Sequence, residues 1–101
     1  MKKLILTFLD NESHGYIKIS KYDLQGLEID KNQFSNFSYY NNENACVYLE
    51  EDCDATKLLN LLKNKGYEVK FNNEFVEHSY FEKPEFIRLN SKSDESYKIK
   101  K

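Results

Sequence analysis

One stretch of this chain, and only one of any length, repeats its apolar residues at helical spacing. Asp54 to Lys65 sets Ala55, Leu58, Leu59, Leu61 and Leu62 along a single face. Asp54 is the expected N-cap, Lys63 and Lys65 suit the last turn, and Gly66 offers a left-handed terminator. A lone amphipathic helix cannot bury its own stripe, so the rest of the chain must supply the surface beneath it.

The remaining apolar runs are short and strand-like. Leu4 to Leu9 is almost continuously apolar and reads as a strand covered on both faces. Asp10 to Gly15 has the composition of a turn, and Tyr16 to Ser20 alternates, which places Ile17 and Ile19 inward in a hairpin. Ser20 followed by Asp23 resembles a capping box for one short helix carrying Tyr22, Leu24 and Leu27. Asp30 to Ser35 is polar and reads as a loop. A second hairpin is expected from Asn36–Tyr40 and Ala45–Leu49, turned by Asn41 to Asn44, and a fifth strand from Tyr67–Phe71. Beyond Asn72-Asn73, the residues Phe75, Val76, Tyr80, Phe81 and Phe86 to Leu89 fit an edge strand or irregular packing equally well. The predicted fold is α+β: a mostly antiparallel sheet of about five strands in ββαββαβ order, with one main helix packed on one face.

At 101 residues the chain is long enough for one domain, expected over residues 1–90, followed by a basic, disordered tail at 91–101. Aromatic residues at 15% argue against a wholly disordered chain. The net charge of −2 divides unevenly: 1–82 holds nine basic and fourteen acidic residues, and 83–101 holds six basic and three acidic. Met-Lys-Lys opens the chain like a secretory leader, but the apolar run after it stops at Asp10, short of the roughly 7–15 residues a leader needs. No run reaches the ~18 apolar residues of a membrane span. The expectation is therefore a cytoplasmic protein without membrane contact, its Cys46 and Cys53 reduced, buried and inert.

No catalytic constellation is expected, and neither a metal nor a cofactor. Glu50-Glu51-Asp52-Cys53-Asp54 lacks the alternating ligands and central Gly of a calcium loop, and acids gather naturally at a helix N-terminus. Ser13-His14 with Asp10 and Glu12 holds the residue types of a triad, but neighbours in one tight turn rarely reach triad geometry. Cys46, Cys53, His14 and His78 do not have zinc-ligand spacing. Sheet aromatics such as Phe37, Tyr39, Tyr40 and Tyr48 can stack on single-stranded bases, yet their hairpin leads into an acidic cluster, which disfavours nucleic acid. Two enzyme-free or enzymatic rivals stay open. One is a metal-dependent hydrolase or nuclease using His14 with the acidic cluster, the other a single-strand nucleic-acid module using the aromatics and the basic tail.

Two segments also carry a resemblance. D-N-E-S-H-G-Y-I-K-I at 10–19 and V-Y-L-E-E-D-C-D-A at 47–55, with Phe37-Ser38-Tyr39 between them, resemble a family of small proteins carried largely by phages, plasmids and integrative elements. Asn11-Glu12 departs from that pattern, which has a small residue before Ser-His. The resemblance implies a mobile-element accessory protein, a class rich in inhibitors of host defence such as anti-CRISPR proteins. The expected function is accordingly non-enzymatic. An acidic surface, made by Glu43, Glu50, Glu51, Asp52 and Asp54 with Tyr40 and Tyr48, would occupy a basic site on a host defence protein such as a CRISPR effector.

Overall fold

The computed structural model describes residues 2–89. Six strands form one mixed sheet: β1 (Lys2–Asp10), β2 (Gly15–Ser20), β3 (Tyr39–Asn41), β4 (Cys46–Glu50), β5 (Tyr67–Phe75) and β6 (Phe86–Arg88), in the order β5-β1-β2-β4-β3-β6. Two helices, α1 (Lys21–Gly26) and α2 (Thr56–Asn64), complete it. The fold is α+β with the main helix on the sheet, as the sequence pattern implied. The order ββαββαβ holds through β5, and β6 adds a strand. The expected disordered tail at 91–101 lies outside the described residues.

Both expected hairpin turns form, through side-chain caps. Asn11 is buried and its Oδ1 accepts the amides of Ser13 at 3.1 Å and His14 at 2.9 Å. Asn41 repeats the device, accepting from Glu43 and Asn44. The left-handed residue of that second turn is Ala45, with φ of 58°, rather than one of its asparagines. Ser20 caps α1 by accepting from Tyr22 and Asp23. Gly66, at φ of 88°, ends α2 as the sequence suggested.

The sheet departs from expectation at β5. It continues through Asn72-Asn73 to Phe75 and lies parallel to β1, with nine paired positions from Lys2↔Tyr67 to Asp10↔Phe75. The reason is the helix. α2 carries the chain back along the sheet after β4, so β5 must run in the direction of β4, which is also that of β1.

Alternation divides the sheet's side chains between two cores. Leu6, Ile17, Ile19, Val47 and Leu49 meet Leu58 and Leu62 of α2 and Leu24 of α1 on one face, with Phe34 fully buried among them. Phe34 sits just after a single 3-10 turn at Lys31–Gln33, so the segment read as a polar loop also plugs the core. On the other face Leu9, Tyr16 and Tyr48 are covered by Val76, Tyr80, Phe81 and Phe86. The segment after β5 is thus both things the sequence allowed, an irregular aromatic layer and then an edge strand. β1 is covered less evenly than expected, since Ile5 is 65% exposed.

Candidate functional site

The strand register brings the sequence motifs together at one end of the sheet. Tyr16, at the start of β2, pairs with Glu50, at the end of β4, and Tyr39, at the start of β3, pairs with both Tyr48 and Arg88. The turn before β2 is then tied to the turn after β4: the Gly15 amide donates to Glu51 Oε1 at 2.5 Å. Gly15 is required here by a close approach, because a Cβ would lie 2.2 Å from the Phe8 ring. After β4 the chain makes one wide turn of π geometry, Glu51–Ala55, before α2 begins. Such turns recur at functional sites because they reorient side chains within a helix. Glu50 caps it, its Oε1 accepting from Asp52 N at 3.0 Å and Cys53 N at 3.2 Å.

Between these elements lies a cleft of about 420 Å³ lined by His14, Tyr16, Phe37, Tyr39, Glu50, Asp52, Cys53 and Arg88. One side is acidic. His14 Nδ1 stands 3.9 Å from Glu50 Oε2, and ligand atoms of His14, Glu50 and Asp52 all lie within 4.8 Å of one another. The opposite side is aromatic, with Phe37 57% exposed and the Arg88 guanidinium 4.6 Å from the Tyr39 ring centroid. Arg88 is anchored there by donating to the carbonyls of Asn36 and Phe37. Burial, and secondarily Tyr39 and Glu50, push the Tyr16 phenol up to about 12, so it stays protonated at neutral pH. The Cys53 thiol is also pushed up, by desolvation first and then by Glu50, Asp54 and Asp52. A thiol held in its protonated form is a poor nucleophile.

The seven residues assigned to an acidic surface do not share one surface. Glu51 and Asp52 are both exposed, and of the two Asp52 lines the cleft while Glu51 holds the Gly15 amide. Glu50 forms the cleft wall but is only 8% exposed. Asp54 is turned inward: Ser35 N and Oγ and Ser38 Oγ all donate to it. It is neither an N-cap nor a contact surface, because a carboxylate with this many donors is worth more inside than out. Tyr48 is fully buried beneath the aromatic layer, its hydroxyl accepting from Asn44 Nδ2. Tyr40 belongs to the helical face, near Lys21 and Lys31. Glu43 lies beyond the other end of β4, whose five residues at about 3.4 Å each put it on the order of 15 Å from Glu50.

Tyr16, Tyr39 and Arg88 enter the site through pairing register, which the alternation of single strands does not reveal, and Phe37 enters from the turn before β3, where Arg88 donates to its carbonyl. Ser13 does contact a histidine, but it is His78, whose Nε2 lies 2.7 Å from Ser13 Oγ on the exposed surface outside the cleft. Both cysteines are free, Cys46 half-buried and Cys53 exposed, so the expectation of a buried pair fails at Cys53.

Compared with protein-family models, with curated proteins and with solved structures, the chain matches none. Among the described residues no helix is long and apolar enough to cross a membrane.

Proposed function

We propose that this chain is a non-enzymatic binding protein whose working surface is the cleft at the end of the sheet. It would act in the cytoplasm of a bacterial host by occupying a basic site on a defence protein, the role its resemblance to mobile-element proteins implies. The observation that carries the reading is convergence. His14 and Tyr16, Phe37 and Tyr39, and Glu50, Asp52 and Cys53 come from three segments far apart in sequence, and their side chains line one cleft, braced by Gly15 on Glu51 and by Ser38 on the Glu50 amide. Its chemistry suits a cation on a protein loop. An incoming Arg or Lys side chain would lie along the exposed Phe37 ring and direct its charge at Asp52, gaining ring and carboxylate contacts together. Neither the Cys53 thiol nor the Tyr16 phenol is activated, which supports binding over catalysis.

The test uses Asp52→Lys and Phe37→Ala, both at exposed positions whose side chains accept no hydrogen bond from the described residues. Glu50 and Glu51 are left intact because they cap the π turn and hold Gly15. Wild-type chain co-expressed with an active CRISPR effector should restore transformation by a targeted plasmid, and should co-purify with the effector after nuclease treatment. Each variant should fold, by circular dichroism, and lose both effects by at least tenfold. Full activity in both variants would remove the cleft from the interface; no effect of the wild type on any effector tried would remove the defence assignment.

A further inference from the structure

We propose that His14, Glu50 and Asp52 form a binding site for a divalent transition-metal ion on the acidic side of the cleft. The key observation concerns Glu50, a side chain about nine-tenths buried. Its Oε1 is satisfied by two backbone amides, while Oε2 has no hydrogen-bond donor among the described residues, its nearest basic group being His14 Nδ1 at 3.9 Å. Oε2 faces the cleft beside the His14 ring, so it is free to take a cation without giving up the two amide bonds that hold Oε1. The amides fix Glu50 in place, so it can serve as the rigid member of the set.

One imidazole nitrogen and two carboxylates make a donor set for zinc-like ions, while calcium and magnesium favour oxygen alone. The ligand atoms now lie within 4.8 Å of one another. Around zinc at about 2.1 Å they would stand roughly 3.4 Å apart, so the widest separation must close by up to about 1.4 Å. That motion falls to His14 and Asp52, both exposed and free to change rotamer. Three protein ligands leave a fourth position open toward the cleft, where Arg88 would favour an anionic or water ligand. The inference does not depend on any protein partner, since the metal alone is the probe.

The experiment is a calorimetric titration of the full chain with zinc chloride at pH 7, beside nitrogen-15 spectra of the imidazole rings. The chain contains two histidines, so His78 is the internal control. Cys53→Ser separates the site from adventitious thiol binding. One equivalent should bind wild type and Cys53→Ser alike, with affinity falling at least tenfold in His14→Ala and in Asp52→Asn. The His14 ring nitrogens should shift while those of His78 stay put, and magnesium should bind at least tenfold more weakly. Binding lost in Cys53→Ser, or unchanged in His14→Ala, or perturbing both histidines equally, would overturn the assignment, as would no saturable binding at all.

Discussion

Cys53 shows how strongly charge placement governs a single side chain. It is exposed and lies in the first turn of a helix, a position that ordinarily favours the thiolate. Desolvation and the carboxylates of Glu50, Asp54 and Asp52 outweigh that field and push its pKa up. A raised pKa leaves less thiolate at a given pH, so alkylation by iodoacetamide at pH 8 should be slower than for cysteine in an unstructured peptide. The rate should climb as pH rises, and Asp52→Asn should accelerate it at pH 8 by removing one repelling charge. A wild-type rate equal to the peptide's would show that the carboxylates do not act on the thiol. The same crowded segment explains why the cap falls on Glu50 rather than on the expected Asp54. Glu50 and Asp54 are both plausible caps by residue type. What separates them is that Ser35 and Ser38 reach Asp54 from a distant part of the chain, and Ser38 Oγ also accepts the Glu50 amide at 2.9 Å. Nothing local to Glu50–Ala55 announces that contact.

At the scale of elements, the critical join is between the β1–β2 turn and the π turn after β4. Gly15 makes it possible, being wedged against the Phe8 ring with its amide on Glu51. Gly15→Ala should therefore cost roughly 1–3 kcal/mol, the usual range for overpacking, even though glycine is freed from no unusual backbone angle. The nearest clash is with the Phe8 ring at 2.2 Å, with Glu51 Oε1 next at 2.8 Å, so the double variant Gly15→Ala with Phe8→Leu should be more stable than the sum of the two single losses by the share the ring contributes. Urea denaturation of all four proteins closes that cycle. Strict additivity would mean that the ring is not the obstacle. The existence and type of most elements were legible, because β1, β2 and β4 are short apolar runs bounded by turn residues and α2 repeats its apolar residues at helical spacing. Pairing was not. Whether Tyr67–Phe75 sits beside β1 or β4 depends on where α2 lands, and its exposed residues carry no alternation that would betray it.

For the whole molecule, the decisive feature is the aromatic layer over the second face of the sheet. Tyr39, Tyr80, Phe81 and Phe86 close around Tyr16 and Tyr48, with Tyr39 stacked on Phe81 at a centroid distance of 4.6 Å. This layer comes from a segment without periodicity, so its packing could not be read from spacing. Yet it does two jobs, burying a face that would otherwise be apolar and exposed, and holding Arg88 and Tyr39 as one wall of the cleft. Phe86 serves both, lying 5.2 Å from Tyr48 and pairing through β6 with Asn41 of β3. Phe86→Ala should cost about 3–5 kcal/mol, the range for deleting a buried phenyl group, which is a large part of a small domain's stability. Ile87→Ala, one residue on and 42% exposed, should stay within about 0.5 kcal/mol of wild type. Urea unfolding of the pair decides between two pictures of β6. If Ile87→Ala proves as costly as Phe86→Ala, the strand is held by its outer side chains. If Phe86→Ala alone is costly, β6 is anchored from beneath, and the cleft depends on the second core as much as on its own residues.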